Sequence, residues 1–333
     1  MIISRTPYRI SFFGGGSDFP DWYNENYGLV LSASINKYIY ISIAERKINI
    51  FKKYRIVYSI IEETNNINNI KHPVIPKLLK YLKYQNSIEM HYLGDLPSRS
   101  GIGSSSAFVV GVLGAIMSLQ NKKYNKDLLT TKSIYFEQKV LNESVGTQDH
   151  LCSIYGGLNV IEFFPNKKKF FSVKKLTNDG SLITRFNDNL YLYYTNLQRK
   201  SSNIVDQFLP EINKSRKTVI KEIVNVAQYS KSIFSHKNLD EFGMLLNETW
   251  KIKKMLAKEI TSKKIDLIYE EGIKAGATGG KILGAGGGGF ILFYVPKKNQ
   301  IIFEKKFNKL ERVHFSFENQ GHKICYRNNN ENQ

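Results

Sequence analysis

Several stretches of this chain combine residue types that could hold and move a phosphoryl group. Residues 93–108 read LGDLPSRSGIGSSSAF, in which Gly101 and Gly103 precede Ser104, Ser105 and Ser106 and the run then turns apolar. Where such a loop opens a helix, unpaired backbone N–H groups and the helix dipole favour an anion, and the hydroxyls can bond phosphate oxygens or coordinate Mg²⁺. The Walker pattern GxxxxGK(S/T) is absent, and GxGxxG fails because its third glycine would fall at Ser106. The loop is therefore neither a P-loop nor a dinucleotide fingerprint. Taken alone, it suits a plain strand-to-helix connection with a serine cap equally well.

A second stretch, FEQKVLNESVGTQDH, places Glu137 twelve residues before Asp149. Phosphoryl transfer needs a metal-binding carboxylate, often a carboxylate near the attacking hydroxyl, and no covalent nucleophile. Two acids so spaced also suit solvated helix faces. A third, KILGAGGGGFILF, holds Gly284, Gly286, Gly287, Gly288 and Gly289 ahead of an apolar strand. Such a run marks either a place where side chains would clash or a tight bulged turn. The N-terminal TPYRISFFGGGSDFP puts Arg9 on a strand, then a glycine turn through Gly15, Gly16 and Ser17, with Asp18 at its mouth. Finally, TNLQRKSSN places Arg199, Ser201 and Ser202 at the start of a helix, a favoured anion position or an ordinary serine cap beside a solvated arginine.

The elements that must position these groups follow from periodicity. Residues 2–13 read as a strand ending at the glycine turn, and residues 29–61 as consecutive antiparallel strands. A helix is predicted near 75–84, then a strand with Ile88, Met90 and Tyr92 on one face, so the serine loop lies between that strand and a helix starting near Ser104. That helix is apolar nearly all round and must be buried. A helix over 126–141 leads through GTQDH to a strand and a lysine-rich hairpin turn. The pattern resets near residue 185 with the strand NLYLYYT, followed by helices over about 202–236 and 238–260, then a helix, the glycine-dense loop, an apolar strand, and a last helix and strand to about Cys325. This divides the chain into 1–184 and 185–333.

Composition bounds the rest. The chain has 333 residues, 42% of them hydrophobic, which is ample for two cores. Its net charge is +19, but the lysines are spread among Asn and Ile rather than interleaved with aromatics. We expect a solvated basic surface compatible with anionic substrates and no specific nucleic-acid binding. The Asn-rich residues 62–72 read as a surface loop and the polar tail from Arg327 as unstructured. Cys152 and Cys325 are too few for a disulfide framework, and each is expected to be a buried thiol in a reducing cytoplasm. No secretory signal is visible, and the longest apolar run, 107–119, is too short to span a bilayer.

Read in order, PYRISFFGGGSDFP, LPSRSGIGSSSAF, GTQDH and KILGAGGGGFILF resemble the motifs of the GHMP kinase superfamily across residues 1 to about 325. The resemblance implies an α+β, two-lobed fold with an N-terminal ribosomal-protein-S5-like domain and a C-terminal ferredoxin-like domain. It implies that Pro97, Ser98, Arg99, Ser100, Gly101, Ile102, Gly103, Ser104 and Ser105 wrap ATP with backbone amides. Ser104, Ser105 and Glu137 would hold Mg²⁺; Asp149 would sit at the acceptor hydroxyl with Arg9 beside it. Gly15, Gly16, Ser17, Asp18, Thr147, Gly287 and Gly288 would face the substrate, and Arg199, from its place at a helix start, is expected to hold a distal phosphate of the sugar. The opening GGGSDFP is similar to sugar kinases of bacterial nucleotide-sugar pathways, which implies transfer to the anomeric hydroxyl of a heptose 7-phosphate. The alternatives are an L-fucose kinase and a sugar- and ATP-binding regulator without turnover. His150 stands where relatives often carry Gln, and Thr147 where some carry Lys, which bears on the sugar pocket. The expected partners are ATP and a sugar phosphate, with no membrane, and a homodimer is left open.

Overall fold

The structure is a computed structural model that describes residues 1–46, 52–197 and 201–328, with the backbone alone at 201–203. Its first sheet begins with β1 (Ile2–Phe13), β2 (Gly28–Glu45), β3 (Tyr54–Val57), β4 (Ile61–Thr64), β5 (Ile88–Gly94), β6 (Leu158–Phe163) and β7 (Phe171–Lys175). A second sheet holds β8 (Leu190–Tyr194), β9 (Gly279–Ile282), β10 (Phe290–Tyr294) and β11 (Glu311–Val313), and the chain closes with β12 (Lys323–Arg327).

The eight-stranded sheet runs β12-β1-β2-β5-β3-β4, with β6 on β2 and β7 on β6. β2 accepts two strands on one edge because it is 18 residues long. Its first half pairs with β6 (Gly28↔Phe163 to Ala33↔Leu158), and its second half with β5 (Ile39↔Gly94 to Glu45↔Ile88). The four-stranded sheet is antiparallel throughout, in the order β11-β8-β10-β9.

Helix Ser104–Leu119 is buried on every side from Ser106 to Ser118, as its apolar composition requires. One face lies on β1 and β2 and the other meets helices Lys126–Tyr135 and Gln148–Tyr155. Gly111 lets it approach the sheet closely enough for the Ser4 hydroxyl to reach the Gly111 carbonyl at 3.0 Å. The lobes share one aromatic core: Phe12 and Phe13 at the end of β1 pack edge-on against Phe242, with centroids 5.5 and 4.9 Å apart. Truncating such a ring to Ala removes about 3–5 kcal/mol. That core fixes where the end of β1, and the glycine turn after it, meets the second lobe.

Six expectations need correction. The helix predicted over 126–141 stops at Tyr135 and continues as a π-helical turn over Phe136–Val140. The helix predicted from 202 to 236 is broken, because Pro210 removes a backbone donor. Ser201–Phe208 is followed by a short turn, and the long helix is Lys217–His236. Its neighbour ends at Lys254, with Lys258–Ile260 a separate turn. The strands of 29–61 are not consecutive neighbours, since β3 runs parallel to β5 and lies away from β2. Finally, β12 leaves the second lobe and adds antiparallel to β1, so the end of the 185–333 half belongs to the first sheet and Cys325 on it is exposed. The hairpin between β6 and β7, the strand at 88–94 and the helix start at Ser104 stand as read. Among the described residues no helix is long and apolar enough to cross a membrane.

Candidate active site

A cleft of about 510 Å³ lies between the lobes, lined by Arg9, Gly15, Gly16 and Asp18 from the first strand and turn, and by Arg99, Gly101 and Gly103–Ser106 from the serine loop. Gln148, Asp149 and the loop 143–146 complete the first-lobe side, while Thr249, Lys253, Lys281, Gly284 and Ala285 face them from the second.

At its centre Arg9 grips Asp149 in a two-point fork, Nε to Oδ1 at 2.8 Å and Nη2 to Oδ2 at 2.9 Å. The third donor, Nη1, binds the Gly101 carbonyl at 2.6 Å, and the Arg9 backbone N–H donates to Ile102 O at 3.1 Å. One arginine thus ties the acid to the serine loop. The Arg9 side chain is 5% exposed and that of Asp149 19%, so the carboxylate keeps an open side toward the cleft. Asp149 also sits in the first turn of helix Gln148–Tyr155, where the dipole favours its charge. Gly103 caps helix Ser104–Leu119 with φ 73°, and a Cβ there would come 3.0 Å from Arg9 Cγ. The backbone at the helix start can approach the ion pair only as glycine.

Asp18 is fully buried. Its Oδ1 accepts from Gly16 N at 3.0 Å and its Oδ2 from Gln148 N at 3.2 Å, while Thr147 N donates to its carbonyl at 2.8 Å. Burial and the Asp149 charge push its carboxyl up to about 6, against the pull of those amides.

Glu137 is buried on the π-helical turn, an irregularity that recurs at functional sites. The Ser105 hydroxyl donates to Oε1 at 2.5 Å and that of Ser106 to Oε2 at 2.7 Å. His150 Nε2 lies 2.7 Å from Oε2, within ion-pair range though off the line of a directed hydrogen bond. Burial raises the carboxyl, but the His150 contact and the two serines outweigh it and hold Glu137 below its usual range. Among the described residues no group of three His, Cys, Asp or Glu could hold a metal. The oxygens available at the helix start are Ser104, Ser105 and, behind them, Glu137, a sparse set that suits Mg²⁺ completed by phosphate oxygens and water.

Two lysines escaped the sequence reading. Lys281 on β9 is buried and donates to Phe12 O at 2.7 Å. Lys253, in the last turn of helix Leu239–Lys254, donates to Ile282 O at 3.3 Å and to Gly284 O. Burial, with Arg9 nearby, lowers the Lys253 ammonium to about 7; burial, with Lys253 and Arg9, lowers that of Lys281 well below its usual value. A lysine inside the strand that feeds a glycine run was the visible signal.

The remaining expected residues divide. Gly15, Gly16, Asp18, Arg99, Gly101, Gly103, Ser104 and Ser105 line the cleft. Pro97 and Ser98 are exposed beside it, whereas Ser100 and Ile102 are buried and shape the loop from within, Ser100 Oγ donating to Pro97 O at 2.6 Å. Ser17 is buried and its hydroxyl closes the turn on Gly14 O at 2.8 Å. Thr147 is buried behind Asp18, where its hydroxyl meets Tyr23 at 3.2 Å rather than the cleft. Gly287 and Gly288 lie beneath the site: Gly287 N donates to Ile260 O at 2.8 Å, and a Cβ on Gly288 would meet Leu197 O at 2.5 Å. Gly284, which does line the cleft, packs on Gly101, so the second glycine run supports the first. Arg199 lies outside the described residues.

Among known proteins, residues 68–157 match the GHMP kinases N terminal domain and residues 230–309 the GHMP kinases C terminal region, together just over half the chain. The D-glycero-alpha-D-manno-heptose 7-phosphate kinase of Campylobacter jejuni is 26% identical over 332 residues, covering 96% of this chain and 97% of that protein. The bifunctional fucokinase/GDP-fucose pyrophosphorylase of Arabidopsis thaliana is 23% identical over 310 residues, and the match covers 86% of this chain but 29% of the plant protein. The crystal structure of a D-glycero-D-manno-heptose 1-phosphate kinase from Bacteroides thetaiotaomicron superposes with a TM-score of 0.79 over 98% of this chain and 100% of that one. Its identity is 22%, a likeness of fold.

Proposed function

The chain belongs to the GHMP kinases, and from that membership we propose that it transfers the γ-phosphoryl group of ATP to the anomeric hydroxyl of D-glycero-D-manno-heptose 7-phosphate, giving the 1,7-bisphosphate. The observation that carries the reading is the Arg9–Asp149 fork, held against the serine loop through Gly101 and open to the cleft on the carboxylate side. The Campylobacter relative supports a phosphorylated heptose as acceptor. The relatives' names differ over where that phosphate sits, at position 7 or position 1.

In this reading the amides of Gly101–Ser105 at the start of helix Ser104–Leu119 cradle the triphosphate. Ser104, Ser105 and Glu137 would hold Mg²⁺, which would supply charge neutralisation for the transferring phosphate. Asp18 accepts from a sugar hydroxyl and orients the ring. Asp149 takes the proton of the attacking hydroxyl as its oxygen bonds to phosphorus and the bond to the ADP oxygen breaks. Arg9 fixes the orientation of the Asp149 carboxylate, and a loose transition state, in which the proton leaves late, demands little more of it. The lobes around the cleft exclude water.

The test is a coupled ADP-release screen over sugars and sugar phosphates. Turnover concentrated on heptose 7-phosphate supports the reading. Equal efficiency on free L-fucose replaces it with a fucokinase, and sugar and ATP binding without turnover with a regulator.

A further inference from the structure

Lys281 and Lys253 enter the cleft from the second lobe with no counter-ion among the described residues. Lys281 is 4% exposed, and its only hydrogen-bond partner among the described residues is the Phe12 carbonyl. Lys253 has two carbonyl partners, Ile282 and Gly284. An ammonium carries three donors, so two on Lys281 and one on Lys253 are left for an occupant of the cleft. Of the described carboxylates of the cleft, Asp149 is committed to Arg9 and Asp18 to the amides of Gly16 and Gln148, and Glu143 is not among the groups acting on either lysine. The charged groups acting on them are cations, Arg9 on Lys253 and both Lys253 and Arg9 on Lys281. Buried like charges without a partner are unfavourable, and an arriving dianion reverses the balance.

Building on the sugar-kinase reading above, we propose that Lys281 and Lys253 form the subsite for a phosphate carried by the acceptor sugar and set the preference for a phosphorylated over a neutral sugar. The position of Lys281 supports this assignment. It is tied to Phe12, three residues beyond Arg9 on β1, or roughly 10 Å along a strand. Arg9 holds the acid at the reacting hydroxyl, so an acceptor seated there points its far end toward Lys281. The start of helix Ser104–Leu119 is left for the phosphates of the nucleotide.

The experiment compares wild type, Lys281→Met and Lys253→Met on heptose 7-phosphate and on the unphosphorylated heptose by coupled ADP release. Each Met variant is expected to lose about 10- to 100-fold in kcat/KM on the phosphorylated sugar and to stay within a few-fold on the neutral one. Equal losses on both sugars with a raised KM for ATP assign the lysines to the γ-phosphate, and an unchanged preference removes them from the subsite; either overturns the proposal. Methionine keeps the unbranched shape of lysine to within one atom, and circular dichroism with ADP binding confirms that each variant is folded.

A second measurement needs no turnover. With ADP saturating, inorganic phosphate is expected to raise the melting temperature of wild type in proportion to the logarithm of its concentration, and of neither Met variant. Absence of that rise in wild type also overturns the subsite. If phosphate stabilises through the lysines while no heptose is phosphorylated, the acceptor assignment fails and the subsite stands.

Discussion

Replacing Asp149 by Asn is the substitution most directly constrained by the geometry. The carboxylate receives two Arg9 donors at 2.8 and 2.9 Å and keeps an open edge toward the cleft. Asn retains one acceptor but turns an NH₂ group against the guanidinium, so one arm of the fork is lost and its charge is removed. Breaking a fully buried pair costs about 3–5 kcal/mol. Asp149 is 19% exposed and the retained oxygen still accepts, so we expect about 1–3 kcal/mol of lost stability and a folded protein. The loss of proton acceptance acts on turnover, where such groups contribute roughly 10² to 10⁴. At 1.36 kcal/mol per decade that is about 3–5 kcal/mol of transition-state stabilisation. The assay is steady-state ADP release under saturating ATP and sugar, with ADP affinity measured separately. We expect kcat to fall within that range while ADP affinity changes by less than about threefold, because in the proposed arrangement the serine loop rather than Asp149 holds the nucleotide. Near-normal turnover in the folded variant would refute the role of Asp149.

Glu137→Gln is expected to raise the Mg²⁺ concentration needed for half-maximal rate and to lower kcat, since a neutral amide beside Ser105 and His150 no longer balances the metal; an unchanged Mg²⁺ titration reassigns Glu137 to a structural role. Asp18 releases its proton near 6, so the ionised acceptor is present above that pH and lost below it. The kcat/KM for sugar should fall about tenfold per unit below pH 6 while the KM for ATP stays flat, and a profile level down to pH 5 would contradict this. Gly146→Ala places a Cβ 2.0 Å from Asp18 Oδ2. The displaced carboxylate should lower sugar kcat/KM by about 10- to 100-fold with nucleotide affinity preserved, as checked by parallel ADP titration.

The serine loop, the glycine run and the two acids were legible because each is a contiguous solution to a local problem. A backbone that must present N–H groups needs Gly101 and Gly103 where it turns, and a buried helix announces itself by an apolar run. The tertiary structure decided which acid meets which base. Arg9 and Asp149 are 140 residues apart, and only the packing of helix Gln148–Tyr155 on β1 sets them in a fork. His150, noticed in the sequence merely as a departure from relatives, acquires a partner because the π-helical turn, invisible to periodicity, rotates Glu137 inward. The same holds for Lys281 and Lys253, two among many lysines in a chain of charge +19. Burial against the second sheet and the end of β1 separates them from the solvated majority. Residue type determines what a group can do; its charge state, its partners and its access to a ligand depend on the dielectric and neighbours that only the folded chain assembles.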